Sequence, residues 1–288
     1  MMVEALVYFF VPALVGVLIG IASGLLGIGG GTVMVPIFRL AFGMSATMST
    51  ATSLFAIIPT SISGAISHVK GKTCIPALGI AAGLGGACLS PVGVWLAQLS
   101  PDWLVMLAAA LIIGYSAINM FKKAFKLRPA GQPAAGVDAA AAASLTSSGD
   151  AAAAAPTADD SSLSRKQLLQ GAAIGLVAGL ASGYVGVGGG FIMVPLMLSI
   201  IGIPMRKASG TSLIAVMILA IPGVIEQGII GNINYLAGIA IVIGTIPGAV
   251  IGARLVTKVP ERTLRLLFGC FLIVAAVMLV LNEVGIFG

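Results

Sequence analysis

The chain has 288 residues, of which 59% are hydrophobic and only 8% are charged, and its mean hydropathy is +1.13. Residues of this composition cannot supply the polar surface of a soluble globule of this size, so a soluble protein is excluded and an integral membrane protein is predicted. The formal net charge is +6. We expect membrane lipids around the chain and no nucleic-acid partner.

Apolar runs near the length of a transmembrane helix occur eight times along the chain. They cover residues 5–24, 49–69, 75–98, 103–121, 168–184, 208–225, 233–253 and 264–281. Two further apolar segments, 32–42 and 191–201, are only about half as long as a span, and each is expected to be a re-entrant or strongly tilted helix. The pattern predicts an all-α polytopic membrane protein.

A glycine-rich motif occurs twice, as GIGGGTVMVP at 27–36 and as GVGGGFIMVP at 186–195. The offset of 159 residues holds without a gap from Gly16 to Pro101 of the first copy, and it also aligns two Thr-Ser-Leu triplets. The chain is therefore an internal duplication. A duplicated, glycine-interrupted membrane segment is the sequence feature that indicates a transporter's binding site.

The duplication divides the chain into a first transmembrane repeat, 1–121, and a second, 168–288, joined by residues 122–167. Residues 129–164 are almost entirely Ala, Ser, Gly, Pro and Asp, which is typical of a flexible linker. Basic residues flank this segment on both sides, namely Lys122, Lys123, Lys126, Arg128, Arg165 and Lys166. The positive-inside rule places the linker in the cytoplasm.

The same rule orients the two repeats. If each glycine motif turns a hairpin and three spans follow it, 14 of the 15 Lys and Arg residues lie inside and only Arg39 lies outside. A rival topology, in which the short segment completes one broken span, moves six basic residues outside: Arg206, Lys207, Arg254, Lys258, Arg262 and Arg265. We therefore predict two inverted repeats, the architecture of alternating access.

The glycine motifs are candidate anion sites, because unshielded N–H groups at the start of a helix bind anions. The candidate residues are Gly29, Gly30, Gly31, Thr32, Gly188, Gly189 and Gly190. The alternative is a hairpin turn that needs glycine for close packing. The motif is not a nucleotide-binding loop, since no Gly-Lys-Ser/Thr follows it.

Four hydroxyl residues of the Thr-Ser-Leu triplets are further candidates: Thr52, Ser53, Thr211 and Ser212. Hydroxyls near a broken helix can donate to sulfonate or carboxylate oxygens without a fixed charge that would trap the anion. Alternatively, they bond their own helix backbone or a neighbouring helix.

Four residues are candidates for gating or ion coupling. A charge in the hydrocarbon costs about 2.5 to 3.5 kcal/mol unless it is paired or hydrated, which draws attention to Arg39 and Glu226; both alternatively lie at the outer interface. His68, the single histidine, is matched by Gln227 in the second repeat. It is either a proton-coupling group or a passive interfacial residue.

Neither catalysis nor metal binding is expected. The three cysteines, Cys74, Cys88 and Cys270, have no ligand spacing and are interpreted as packing residues. The chain has no paired acids, no usable nucleophile and no metal-ligand cluster, so an intramembrane enzyme is disfavoured and no cofactor is expected.

With its two glycine motifs followed by Met-Val-Pro, its Thr-Ser-Leu pairs and its variable central loop, the chain resembles the TauE/SafE family of anion transporters over both repeats. The resemblance implies secondary transport of sulfite, sulfoacetate or other organosulfonates across the bacterial inner membrane, often as export. The motifs do not choose among substrates or directions. An anion channel and an importer of a different small organic anion stay open as alternatives, as does a homodimer.

Overall fold

A computed structural model of the chain describes the backbone of residues 2–126 and 164–283 and the side chains of 12–122, 124–125 and 164–281. Over these residues every regular element is a helix. The first half contains α1 Met2–Leu26, α2 Gly31–Phe42, α3 Ala46–Lys70, α4 Pro76–Leu99 and α5 Asp102–Lys126. The second half contains α6 Arg165–Val185, α7 Gly190–Leu196, α8 Met205–Ile230, α9 Tyr235–Leu255 and α10 Glu261–Glu283, and a π-helical turn, Met197–Ile201, extends α7.

Seven helices in the described parts of the chain are long and apolar enough to cross a membrane. These are α3, α4, α5, α6, α8, α9 and α10, and each coincides with a predicted span. Shorter apolar helices cover Pro12–Leu26, Gly31–Phe42 and Gly190–Ile201. The prediction of an all-α polytopic membrane protein with two short glycine-led helices is confirmed. The central part of the predicted linker, residues 127–163, lies outside the described residues.

The two halves are interlaced, because the first helix of each half packs along a helix of the other. A Cβ atom at Gly175, Gly179 or Gly183 of α6 would collide with the backbone of α4. The glycines of α1 lie in the same way against α9. Both pairs run parallel, and only residues without a side chain allow backbones to approach so closely. We call these two rows of glycines, on α1 and α6, the glycine ridges, and their role is packing.

The helices α3 and α8 cross the centre of the molecule side by side and run antiparallel. The ring of His68, near the end of α3, is 2.8 Å from the position of a Cβ atom on Gly210, near the start of α8. Farther along, Leu54 lies 3.5 Å from the corresponding position on Gly223. Since α3 and α8 are equivalent by the duplication, the equivalent central helices of the two halves point in opposite directions.

One end of the helix bundle collects most of the basic residues, and we call it the basic end. It contains the end of α3 and the start of α8, and Arg206 there donates to the carbonyl oxygen of Val259 at 2.9 Å. The start of α4 is at the same end, since Ile75 donates to Thr211. The residues at this end include Lys70, Lys72, Arg206, Lys207, Arg254, Lys258, Arg262 and Arg265.

The central helices begin at carboxylates supplied from elsewhere in their own halves. The backbone N–H of Ala46 donates to Asp102 Oδ2 at 3.2 Å, and that of Met205 donates to Glu261 Oε1 at 3.2 Å. The first N–H groups of a helix have no partner within it, and an anion there also interacts favourably with the helix dipole. Two equivalent bonds thus fix where α3 and α8 start.

Candidate functional site

The two glycine motifs form loops that touch each other in the middle of the molecule. A Cβ atom on Gly31 would collide with the carbonyl oxygen of Val187, and one on Gly190 would lie 2.5 Å from that of Gly27. Gly29 and Gly188 have φ angles of 81° and 90°. Residues with a side chain rarely adopt this left-handed region. The motifs therefore need glycine both for their turns and for the contact between the loops.

The loops reach this contact from opposite ends of the bundle. Gly27 packs against Ser209 and Ser212, which lie in the first two turns of α8 at the basic end. Gly186 packs against Thr50 in the second turn of α3, at the other end. We call the region where the loops meet the glycine crossing.

An equivalent pair of apolar side chains lines the glycine crossing. A Cβ atom added to Gly29 would lie 2.9 Å from Val216 and 3.3 Å from Ile57. One added to Gly188 would lie 2.8 Å from Ile57 and 3.5 Å from Val216. Ile57 lies near the middle of α3, and Val216 lies near the middle of α8. The crossing is therefore near mid-depth in the bundle and shielded from water.

Backbone N–H groups at the crossing lack acceptors. The N–H of Gly27 donates to the carbonyl oxygen of Ser23 at 2.8 Å, and the N–H of Val33 donates to that of Gly30 at 3.3 Å. The five intervening N–H groups, at 28–32, are buried and have no acceptor among the described residues, and the four at 29–32 lie directly at the start of α2. More than nine in ten buried backbone polar groups in native proteins are paired. Four adjacent free N–H groups at the start of a twelve-residue helix can donate hydrogen bonds to an anion.

Buried hydroxyl groups without a described partner lie beside both glycine loops. Ser23 and Ser182 are equivalent in the duplication, both are 0% exposed, and neither hydroxyl has a partner among the described residues. The Cβ atom of Ser23 lies 3.6 Å from the place that a Cβ atom added to Gly30 would occupy. The Cβ atom of Ser182 lies 3.4 Å from the same place on Gly189. The hydroxyl of Ser61, also without a described partner, lies 3.5 Å from the same position on Gly29.

Two of the predicted hydroxyls have a packing role instead. Thr52 Oγ1 accepts from the N–H of Asn234 at 3.0 Å, and Thr211 Oγ1 accepts from the N–H of Ile75 at 2.9 Å. Each threonine thus caps the first helix turn of a segment in the opposite half. These bonds follow the alternative in which the hydroxyls bind a neighbouring helix, and we favour it over contact with an anion. Thr211 also donates to the carbonyl oxygen of Lys207 at 2.7 Å, whereas the hydroxyl of Thr52 only accepts among the described residues.

The two predicted serines differ from each other. Ser212 donates to the carbonyl oxygen of Gly27 at 2.7 Å and also lies 2.8 Å from that of Ser209, so its hydroxyl holds the first loop against α8. Ser53, its equivalent, is fully buried and has no described partner. Thr32 is likewise fully buried, and its hydroxyl has no described partner. Its equivalent in the second repeat is Phe191, which has no hydroxyl. Ser53 and Thr32 therefore stay in the candidate site as free donors.

His68 is buried within the protein, in the last turn of α3. Its ring is 0% exposed, with Nε2 2.8 Å from the carbonyl oxygen of Gly24 and Nδ1 2.7 Å from Thr73 Oγ1. The bond to Gly24 connects α3 to the last turn of α1, directly before the first glycine loop. Its counterpart, Gln227, is 1% exposed and accepts from Asn232 Nδ2 at 2.9 Å. Of this equivalent pair, His68 is the ionisable member, and it bonds the backbone directly before the first loop.

The remaining candidates lie away from the crossing. Arg39 is in the last turn of α2, and Glu226 lies in the last two turns of α8 with Oε2 lacking a described partner. Both are half-buried. Cys74 is buried, whereas Cys88 and Cys270 are exposed on membrane-spanning helices. Among the described residues, no group of three or more His, Cys, Asp or Glu side chains could hold a metal ion.

Sequence reasoning did not select Ser23, Ser182 and Ser61. The signal for the first two was present, because they match at the offset of 159 residues inside the glycine ridges. A serine in a ridge of small residues is compatible with packing alone, and only the structure shows that both hydroxyls lie beside the loops without partners. Ser61 is matched by Ala220, so the duplication gave it no signal.

Two curated relatives match nearly the whole chain, and a third matches about a third of it. A probable membrane transporter protein, YunE, of Bacillus subtilis (strain 168) is 27% identical over 97% of this chain and 99% of its own length. A probable membrane transporter protein of Haemophilus influenzae is 28% identical over 93% of this chain and 97% of its own length. An Arabidopsis thaliana protein named sulfite exporter TauE/SafE family protein 3 is 30% identical over 36% of this chain and 23% of its own length.

No solved structure matches the chain significantly. The family profile described as "Sulfite exporter TauE/SafE" matches residues 12–279, which include both glycine motifs and every described spanning helix at least in large part. The chain therefore belongs to the TauE/SafE family of membrane transporters.

Proposed function

We propose that this protein is a secondary transporter of small sulfur-containing oxyanions, such as sulfite, sulfoacetate or another organosulfonate, and that the anion binds at the glycine crossing. The observation that carries the proposal is the set of four adjacent buried N–H groups at 29–32 without an acceptor. We assign to the same site the buried hydroxyls of Ser23, Ser182, Ser53 and Thr32, which have no described partner. Gly188 and Gly189 bring the second loop to the same point.

These donors suit an oxyanion that must also leave the site. A sulfite or sulfonate group has three oxygen atoms, each able to accept more than one hydrogen bond. Neutral N–H and O–H donors, together with the positive end of α2, stabilise such a group without a neighbouring cation. A transported ion needs binding strong enough to enter the site but weak enough to leave it, which a ring of neutral donors provides better than a buried arginine or lysine.

The path of the loops supports alternating access between two inverted halves. Gly27 approaches the crossing from the basic end and Gly186 from the opposite end, so withdrawal of one loop opens the site to one side only. The positive-inside rule places the basic end in the cytoplasm of the bacterial cell. We propose export as the direction, in keeping with the family name. Contact between the loops argues against the alternative of a channel, since a continuous pore requires them to separate.

Ligand-dependent thermal stability of the purified protein tests the site, because a ligand that binds the folded state raises its melting temperature. Sulfite, sulfate, thiosulfate, sulfoacetate, taurine and carboxylate analogues are compared on the wild type and on S23A/S182A. The double variant loses no bond within the described protein, so its melting temperature without anion should stay near the wild-type value. Its affinity for the preferred anion should fall about tenfold or more for each bond lost, since hydrogen bonds to charged groups contribute about 1.5 to 3 kcal/mol.

Ser67→Ala is the matched control, since the Ser67 hydroxyl bonds the carbonyl oxygen of Ser63 in its own helix, away from the loops. It should leave anion affinity unchanged. Wild-type affinity in S23A/S182A would remove both serines from the site, and stabilisation by none of the sulfur oxyanions would refute the proposed substrate class.

A further inference from the structure

A cavity lies on the flank of the molecule, between α5, α6 and the short helix α7. Its volume is about 760 Å³, and it is lined by fourteen residues, most of them apolar. The apolar walls include Ile112 of α5, Val177 and Leu180 of α6, and Ile192 of α7. It contains none of the glycines, and we call it the flank groove.

The flank groove lies along the hydrocarbon depth of the bilayer. Its lining on α5 extends from Ala108 to Asn119, about 16 Å at 1.5 Å per residue, within the span Asp102–Lys122. Val177, which lines it on α6, is 57% exposed, so the groove is open at its side. The surrounding medium at this depth is lipid acyl chain, which matches an apolar lining.

Both long walls of the groove lead to a lysine at the basic end. Lys122 follows Asn119 by three residues and so lies on the same face of α5. Lys166 precedes Val177 by eleven residues, about three helical turns, on the corresponding face of α6. Both lysines are exposed. A ligand lying in the groove therefore meets two positive charges at one end.

The duplication shows that this arrangement is specific to one side of the molecule. The position equivalent to Lys122 is Leu281, and the one equivalent to Asn119 is Met278. The position equivalent to Lys166 is Val7. At the equivalent positions of α10 and α1 the side chains are thus uncharged, although these two helices correspond to α5 and α6. Helix packing alone does not require the lysines.

We propose that the flank groove is a binding site for an anionic phospholipid, with one acyl chain along α5 and α6 and the phosphate between Lys122 and Lys166. Basic residues at a membrane surface attract anionic headgroups, and basic pockets between transmembrane helices on the cytoplasmic side bind them specifically. Charge complementarity selects this occupant over an uncharged lipid or a second copy of the chain, whose own basic end has the same sign of charge. The site is independent of the anion site at the glycine crossing.

Lipid binding is measured on delipidated protein in detergent by native mass spectrometry and thermal shift, with phosphatidylglycerol and phosphatidylcholine of equal chain length. The wild type should bind phosphatidylglycerol more tightly. In K122Q/K166Q this preference should fall by about tenfold or more, since each basic residue near a membrane surface contributes about fivefold. The matched control, K70Q/K72Q, neutralises two exposed lysines of the same end, one at the end of α3 and one in the turn after it, away from the groove, and should keep the preference.

A second pair of variants tests the acyl-chain part of the groove. Val177→Trp fills it from an exposed position, and Ala181→Phe fills it from a half-buried one; both should reduce the binding of both lipids. A preserved phosphatidylglycerol preference in K122Q/K166Q would refute the headgroup assignment. Unchanged lipid binding in folded V177W would refute the groove as the site. Conversion of a wild-type dimer to a monomer by V177W, with lipid binding intact, would assign the groove to a second copy instead.

Discussion

The two halves build their framework with matching bonds, but some of the side chains beside the two glycine loops differ. Asp102 and Glu261 accept the same backbone bond at the starts of α3 and α8, as Thr52 and Thr211 do for Asn234 and Ile75. Beside the loops, by contrast, Thr32 is matched by Phe191 and His68 by Gln227. Interlaced halves need equal framework contacts, because each half completes the other's helix ends. The side chains around the site are free of that constraint and can specialise.

The largest effect is expected from adding methyl groups where the two loops touch. Gly31→Ala places a methyl group against Val187 and Ile57, and Gly190→Ala places one against Gly27 and Ile28. Each change should lower the free energy of unfolding by about 3 kcal/mol, the upper end for overpacking, and abolish the anion-induced rise in melting temperature. Denaturant titration in micelles and thermal shift measure the two effects.

The control is Gly114→Ala, in α5, where a Cβ atom meets nothing within 4 Å. It should be neutral or slightly stabilising, because alanine favours a helix over glycine. If only one of the two loop variants lost anion binding, the loops would not contribute equally to the site.

A smaller, asymmetric effect is expected from the pair His68 and Gln227. His68→Ala removes the bonds to Gly24 and Thr73 and leaves a buried carbonyl oxygen without its donor, so a loss of about 2 kcal/mol is expected. Gln227→Ala removes one bond, to Asn232, and should cost about 1 kcal/mol. Chemical denaturation of both variants checks the order; equal losses would contradict the special anchoring of the first loop.

Substitution of Thr52 or Thr211 should lower folding stability to a similar extent and should leave anion affinity unchanged. Thr211→Val leaves the buried N–H of Ile75 without an acceptor, and Thr52→Val removes the acceptor of the half-buried Asn234. Each change should cost about 1 to 2 kcal/mol of folding stability, with anion affinity within twofold of the wild type. Thermal unfolding and anion titration measure both quantities. Weakened anion binding without loss of stability would instead place these hydroxyls in the site.

The smallest effect is expected from the carboxylate caps. Asp102→Asn keeps the size of the side chain but removes the charge from the start of α3, which should cost about 1 kcal/mol. Glu261→Gln should cost slightly more, because Glu261 also pairs with Arg265. The difference between the two melting temperatures provides the measurement. A larger loss for Asp102→Asn would show that the matching bonds do not carry matching energies.

Much of the fold was predictable because its signals are local. A span needs about 20 consecutive apolar residues, so composition along the chain located the helices α3 to α6 and α8 to α10. Half-length segments after the glycines indicated α2 and α7. The candidate site was predictable only in part: Gly29 and its neighbours were identified from the motif, whereas the free hydroxyl of Ser23 was not.

By itself the sequence determined the helices, the duplication and the glycine turns, since each depends on residues close together or on a repeated pattern. Tertiary structure decided which hydroxyls are occupied, because Thr211 and Ile75 are 136 residues apart and meet only when the halves interlace. It also decided that His68 is buried and that the two loops touch. Hydrogen-bond satisfaction depends on all neighbours in space, and periodicity along a chain contains no record of them.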